Sequence, residues 1–569
     1  MEWVFPKLDS SIVEQLKEDR GYSSVLAELL AERLGDKLDH LDDFLKPRLS
    51  SLSDPFDIPN LNAGVDRIIA AIKRQESILI YGDYDVDGVT SSALLCEFLQ
   101  HYNIKPNFFV PNRIDEGYGL SEDGLTRALE DQTPKLLIAV DCGTSSASLV
   151  KDLRDKNIDV IIIDHHTSKE GLPQDCILIN PKVECPETAP WYDLCTAGLV
   201  FKVIHGLLKS LREAKDSVAL NIDPKSFLDL VALGTVADLV PLNEENRIFA
   251  LFGLKEINKR HRPGLSALIS QSGLSDKSEI RATELGFRVG PRINAGGRIA
   301  DASDAIQLLI TKETSSANKI ASKLESLNKE RQSIEKKIVK EAEAMAKHIP
   351  DASALVLYNT KWHAGVVGIV ASRISRLYNS PALILGSEEN TDLIKGSGRS
   401  VPGVDLVEAM KPCAHLLEQW GGHPMAVGLS LKEENLESFR TLLIESLHTQ
   451  LDGTNPEPQL SVSSYLRQSE LSEELLHTLS CLEPFGQNNP QPIFAIKDVR
   501  LFGIRKVGTQ HLSFRLGASY RDSTRGIYWN GIHHSPPENE PVDIAVKADW
   551  NEYRGMKSLQ VTLLDWKPA

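Results

Sequence analysis

Three short apolar runs set the rhythm of the first half of the chain. Residues 77–99 read SILIYGDYDVDGVTSSALLCEFL, an aliphatic run that breaks into three alternating acids and then resumes with helical spacing. Leu136–Gly143 (LLIAVDCG) and Asp159–His166 (DVIIIDHH) repeat the form, each a continuous aliphatic run with an acid or an imidazole at its carboxyl end. Runs of this kind predict strands buried on both faces, which is the mark of a parallel sheet. From Ala63 to about Leu309 such runs alternate with helical patterns, so the spacing predicts a doubly wound α/β domain. In such sheets the ligand crevice lies beyond the carboxyl ends of the strands, which would gather these acids and imidazoles into one site.

The pattern then changes twice. Thr314–His348 has no Gly or Pro, is laced with Glu and Lys, and carries apolar residues at Ile320, Leu324, Leu327, Ile334, Ile338 and Met345. It predicts one long helix, a solvated semi-rigid connector rather than a coiled coil, because the heptads are not sustained. A second α/β lobe starts at Ala354–Tyr358 and holds WHAGVVGIVASRI (Trp362–Ile374), KGSGRS (Lys395–Ser400) and GGHPMAVG (Gly421–Gly428). From about Pro456 five short strand patterns with turn punctuation predict a small closed barrel. Before all of these, residues up to about Leu61 form a lead-in with helical spacing over Tyr22–Leu34 and no visible chemistry.

Composition narrows the picture. At 569 residues the chain is too long for one core and predicts about three or four domains. Hydrophobic residues at 41% and charged residues at 25% are ordinary for globular protein. With 63 basic and 79 acidic residues the net charge is −16, so a nucleic-acid partner would need a local basic groove rather than global charge. The amino terminus has no basic region followed by an apolar one, no apolar run reaches spanning length, and a cytoplasmic protein is expected. The seven Cys form no CxxC pair and read as reduced thiols. No GxxxxGKS/T occurs, which disfavours a P-loop ATPase.

Several stretches can be read from their residues alone. Asp83, Asp85 and Asp87 suit either a solvated acidic turn or a cation-binding cluster, and the two further strand ends favour cations. FFVPNRIDEGYGL (Phe108–Leu120) reads from its residues as a loop with Gly117 and Gly119 for turns. Asp238 follows a helical pattern and reads from its residues as a helix-end acid. GPRINAGGR (Gly290–Arg298) reads as a glycine-rich turn where backbone approaches a phosphate and guanidiniums clamp it. His363 and His423 suit ordinary loop or core positions, and the barrel aromatics Tyr528, Trp529 and Tyr553 fall at strand spacing that suits a core.

Taken in order, GDYDVDG, DCG, DHH, GTVADLVPL (Gly234–Leu242) and GPRINAGGR resemble the DHH phosphoesterase superfamily, and over essentially the whole chain the RecJ family within it. The resemblance implies a lead-in at 1–61, a DHH catalytic domain at 62–312, and a connecting helix at 313–349. It further implies a second α/β lobe of DHHA1 type at 350–452 and an all-β OB-fold at 456–569 that binds single-stranded DNA, while the packing of the lead-in on the catalytic domain is expected from its place in the chain alone. The implied activity is single-strand-specific 5′→3′ DNA exonuclease, releasing 5′-mononucleotides in recombination and mismatch repair. The implied cofactors are two divalent ions, Mn²⁺ in preference to Mg²⁺. Asp87, Asp141, His165 and Asp238 would hold one and Asp83, Asp85 and Asp141 the other. Asp164 would orient the neighbouring histidines and His166 would touch the scissile phosphate. Arg113, Tyr118, Arg292, Asn294, Arg298, Arg373, Ser397, Arg399 and His423 are the implied substrate contacts. A monomer working beside single-strand-binding protein and a RecQ-type helicase is expected. A phosphodiesterase for short oligonucleotides or cyclic dinucleotides, a noncatalytic strand binder and an RNA nuclease remain as alternatives.

Overall fold

The computed structural model describes the chain apart from residues 36, 112–118, 131–132, 169–170, 350–353, 388–392, 452–456, 518, 520–521 and 554. Its first sheet has five parallel strands in the spatial order Asn107–Phe109, Ile78–Gly82, Leu136–Val140, Asp159–Ile163 and Ile177–Ile179. The continuous aliphatic runs are explained by burial on both sides. Ile78, Ile80, Leu136, Ile138, Val140, Ile161 and Ile163 enter the large core on one face, while Leu79, Tyr81, Leu137, Ala139, Val160 and Ile162 enter a smaller core on the other. The order of the strands reverses between Ile78–Gly82 and Leu136–Val140, the topological switch point at which open α/β sheets bind ligands. Register pairs Gly82 with Val140 and Val140 with Ile163, so Asp83, Asp141 and Asp164 leave the sheet at one level.

The long helix runs Thr314–Ala346. It is less solvated than its charge pattern predicts. Ala317, Ala321 and Leu324 join the catalytic core, and Ile338, Val339, Ala342 and Ala346 join the core of the second lobe. The alanines, uncounted as apolar anchors, let neighbouring helices approach closely, so the helix is a packed element shared by both lobes. The second lobe is a five-stranded sheet in the order Gln419–His423, Ala426–Lys432, Leu393–Arg399, Ala382–Ser387 and Leu355–Asn359, antiparallel except for its last pair.

The C-terminal strands Phe494–Val507, His511–Gly517, Ser523–Tyr528, Pro541–Tyr553 and Met556–Pro568 form a barrel closed by pairing of the first with the fourth, and Ser464–Tyr465 adds a short sixth strand. The lead-in departs from expectation. Glu2–Val4 pairs in parallel with Gln459–Ser461, and Leu16, Leu29, Leu30 and Leu41 are buried with the barrel residues Phe494, Ile496 and Ile544. Its end, from Leu49 to Leu61, packs on the catalytic core, and Phe44 meets Arg247 of the catalytic domain, whose Nε donates to Phe44 O at 2.9 Å. Amphipathic spacing shows that these helices bury a face, but the strand pairing at residue 459 decides which domain receives it. No helix among the described residues is long and apolar enough to cross a membrane.

Candidate metal centre

Asp83 follows the first strand directly, and Asp85 caps the helix Val86–Gln100 by accepting from the amides of Asp87 (2.9 Å) and Gly88 (3.1 Å). Asp87 is buried and accepts at both oxygens from the amides of Thr196 (2.7 Å) and Ala197 (2.8 Å), the start of the helix Thr196–Glu213. Asp141 adopts a left-handed backbone (φ 65°) at its strand end and accepts from the Thr196 hydroxyl at 2.9 Å. Asp238 ends the helix Leu228–Ala237. That helix comes close because residue 234 is glycine, where a Cβ would meet Asp87 Oδ1 at 2.9 Å and Ala197 Cβ at 2.7 Å.

His165 draws these acids into one site. Its Nε2 lies 3.4 Å from Asp238 Oδ2, 3.5 Å from Asp141 Oδ1 and 3.9 Å from Asp87 Oδ2. This nitrogen is buried and takes no hydrogen bond among the described residues. Donor atoms of Asp87, His165 and Asp238, and separately of Asp83, Asp85 and Asp141, lie within 4.8 Å of one another. Burial and then the neighbouring Asp85 charge push the Asp87 carboxyl up to about 6. Burial, followed by the charges of Asp87 and Asp85, raises Asp141 and Asp238 well above the usual carboxylate range. Burial, then the adjacent His166, lowers His165 to about 3, leaving its imidazole neutral. Neutral imidazole beside carboxylates that repel one another is a donor set suited to divalent cations such as Mn²⁺.

Asp164 stands one step back. Burial opposes its ionisation, but the hydrogen bond from His166 Nδ1 (2.8 Å), the two histidines and Thr144 hold it below the usual range. The same contact overcomes the burial of His166 and raises it to about 9. Thr144 Oγ1 donates to Asp164 at 2.7 Å and accepts from Asn180 Nδ2 at 2.9 Å, while Asn180 also donates to His166 O. Thr144, Asn180 and Thr196 carry no sequence signal that singles them out, since each meets its partner from a distant strand or helix end.

The remaining candidates separate. Arg113 and Tyr118 lie outside the described residues. GPRINAGGR forms a helix, Gly290–Ile299, rather than a turn, and the reason is packing: a Cβ at Gly297 would meet Tyr84 Cβ at 2.7 Å, so the glycine seats the helix on the acidic loop. Arg292 is held at 2.7 Å by Glu325, Asn294 Oδ1 is buried with no hydrogen bond among the described residues, and Arg298 donates across the lobes to Gly365 O at 3.2 Å. Arg373 is 58% exposed and faces Glu335 at 3.7 Å.

Ser397 and Arg399 line a cavity together with Gly365, Gly421 and Gly428 of the second lobe and Tyr84 of the catalytic lobe. Arg399 Nη1 donates to Ser397 Oγ at 2.8 Å. His423 lines a neighbouring cavity whose other wall carries His166 and Thr144. His363 caps its helix by accepting from the Gly365 amide at 3.1 Å, the ordinary structural role. In the barrel Tyr528 is buried in the core, Trp529 is 55% exposed, and the side chain of Tyr553 is outside the described set.

Three family models match the chain: the DHH family N-terminal domain over residues 77–235, the DHHA1 domain over 351–449 and the RecJ OB domain over 462–565. The single-stranded-DNA-specific exonuclease RecJ of Bacillus subtilis is 34% identical over 99% of this chain and 70% of its own length. The protein of that name from Salmonella typhimurium is 34% identical over 90% of this chain and 91% of its own. Among solved structures, RecJ of Thermus thermophilus in complex with Mn²⁺ matches all of this chain and 80% of its own with a TM-score of 0.83 at 26% identity. A structure of exonuclease RecJ bound to manganese matches 70% of this chain and 96% of its own with a TM-score of 0.59 at 30% identity.

Proposed function

The chain belongs to the RecJ family of single-stranded-DNA-specific exonucleases, and on that footing we propose how its residues share the work of digesting a strand from the 5′ end. It is a metal-dependent 5′→3′ exonuclease of the DHH superfamily. The observation that carries the assignment of residues is the convergence of Asp83, Asp85, Asp87, Asp141, His165 and Asp238 at the switch point of the sheet, with His165 Nε2 buried and without a hydrogen-bond partner among the described residues.

A pair of divalent ions supplies a deprotonated water and charge neutralisation on the attacking and leaving oxygens of a phosphodiester. Asp87, Asp141, His165 and Asp238 would hold one, and Asp83, Asp85 and Asp141 the other. The protein's own residues do the rest. Asp164 fixes the histidine pair, and its charge keeps His166 protonated at neutral pH, a cationic donor for the scissile phosphate. Ser397 and Arg399 offer a hydroxyl and a planar guanidinium to a terminal 5′ phosphate, with Arg113 a further candidate. His423, across the cleft from His166, meets the backbone nearer the cut. Arg292, through Glu325, and Arg298, through Gly365 O, hold the helix Gly290–Ile299 in place, and Arg373 is not among the residues that line the cavity of Ser397 and Arg399.

The barrel grips the strand beyond the cleft, with Trp529 as an exposed stacking platform. We place the enzyme in the cytoplasm as a monomer, releasing 5′-mononucleotides in recombinational and mismatch repair beside single-strand-binding protein and a RecQ-type helicase. A barrel built to hold a long strand disfavours a phosphodiesterase for dinucleotides, and the complete acid set disfavours a noncatalytic binder. The test is digestion of 5′- and 3′-labelled single-stranded DNA, duplex DNA and RNA with Mn²⁺ or with EDTA. Mononucleotides released from the 5′ end of single-stranded DNA, with Mn²⁺ and not EDTA, are expected. Release from a 3′ end of a 5′-blocked strand would remove the polarity argument.

A further inference from the structure

Two of the carboxylates assigned to the metal centre are tied to one residue that supplies no ligand. Thr196 is fully buried at the first position of the helix Thr196–Glu213, and the preceding Cys195 gives that helix no side-chain cap. The Asp87 carboxylate takes the place of the cap, accepting from the amides of Thr196 and Ala197 across 109 and 110 residues of sequence. The Thr196 hydroxyl meanwhile donates to Asp141 Oδ1 at 2.9 Å, the oxygen that faces His165 Nε2 at 3.5 Å. Among the described residues it is the one hydrogen-bond donor that the Asp141 carboxylate has.

A carboxylate torsion is broad and two-fold, so an Asp side chain with no partner swings readily. Asp141 has added reason to swing, since donor oxygens of Asp83 and Asp85 lie within 4.8 Å of one of its own and compete with it for the same space. A donor fixed at Oδ1 sets the plane of the group and with it the direction of the second oxygen. We propose that Thr196 is the positioning residue that aligns Asp141 with Asp87 and so sets the affinity of the centre for divalent cations. The inference rests on the assignment of Asp87 and Asp141 as ligands. Partners of this kind, standing behind a metal ligand, are worth about 10- to 100-fold in metal affinity.

The experiment is a titration of the full-length protein with Mn²⁺, following the electron paramagnetic resonance signal of the free ion, for the parent, Thr196→Val, Thr196→Ser and Asp141→Asn. Thr196→Val keeps the shape and removes the donor, and is expected to weaken binding by about 10- to 100-fold. Thr196→Ser keeps the donor and is expected to bind as the parent does. Binding by Thr196→Val equal to the parent's, with binding lost in Asp141→Asn, would overturn the positioning role and leave the metal centre standing. Unchanged binding in both Thr196→Val and Asp141→Asn would overturn the metal centre and the inference with it. Equal weakening in Thr196→Ser and Thr196→Val would make the methyl packing, not the hydroxyl, responsible, and the inference would fail. If Thr196→Val loses the circular-dichroism spectrum of the parent, Thr196→Ala replaces it under the same expectations.

Discussion

Replacing Asp141 by Asn should make the variant more stable than the parent without metal and less stable than the parent with it. Asn is the right probe because it tolerates the left-handed backbone at φ 65° and keeps an oxygen to accept from Thr196. Donor atoms of Asp83, Asp85 and Asp141 lie within 4.8 Å of one another, and two unit charges at that distance repel by about 3.5 kcal/mol at an effective dielectric of 20. Two such neighbours would cost more than taking up a proton. Protonating an aspartate of ordinary value 3.8 at pH 7 costs about 4.4 kcal/mol, so the penalty saturates near that figure and Asp141 is driven toward its neutral form. In EDTA, Asp141→Asn should therefore be more stable than the parent by about 2–4 kcal/mol. With Mn²⁺ at a hundredfold over its Kd the parent gains about 2.7 kcal/mol per ion, and Asp141 is assigned to both ligand sets, so the variant forfeits the larger part of this gain. Urea unfolding at pH 7 with EDTA and with Mn²⁺ reads both terms. A variant less stable than the parent in EDTA, or one showing the same Mn²⁺ shift, would refute the reasoning.

Three other outcomes follow from the same geometry. Because burial raises Asp87 to about 6, the folded metal-free protein binds its proton more tightly than the unfolded chain, and stability should fall by on the order of 3 kcal/mol as pH rises from 4 to 6. A further loss should appear as pH rises from 6.5 through about 9, where His166 gives up its proton, and Mn²⁺ should remove the first loss; pH-dependent melting with and without the ion checks both. A chain cut to residues 49–451 should stay soluble and cleave short oligonucleotides slowly, whereas 1–451 should aggregate because Leu16, Leu29 and Leu30 lose the barrel that covers them; size-exclusion chromatography separates the cases, and a monomeric 1–451 would count against the packing. Arg399→Ala should raise KM for 5′-phosphorylated strands more than for 5′-hydroxyl ones, by about 1–3 kcal/mol, with Arg399→Lys rescuing in part; equal slowing on matched oligonucleotides would show that Arg399 does not read the end.

Much of this protein is legible in its amino-acid order, and the reasons are local. The three aliphatic runs announce strands buried on both faces, and the acids and imidazoles that end them announce a site, because a strand buried on both sides must be apolar throughout and can carry charge only where it leaves the sheet. The 33-residue helix and the barrel strands follow likewise from periodicity. Periodicity states that a face is buried and says nothing of what buries it. Of the lead-in, the helix over Ser24–Leu34 was legible, but only the pairing of Glu2–Val4 with Gln459–Ser461 decided that it packs on the barrel. The glycines of GPRINAGGR look like a turn until Tyr84 is seen to occupy the space that a Cβ at Gly297 would need. Strand order, which puts the reversal beside Asp83 and Asp141, and the reach of Thr196 to Asp141 and Asp87 far along the chain were likewise settled only in three dimensions. A hydrogen bond between residues more than a hundred positions apart leaves no trace in the residues on either side of it, because the compact fold, not the local chain, brings its donor and acceptor together.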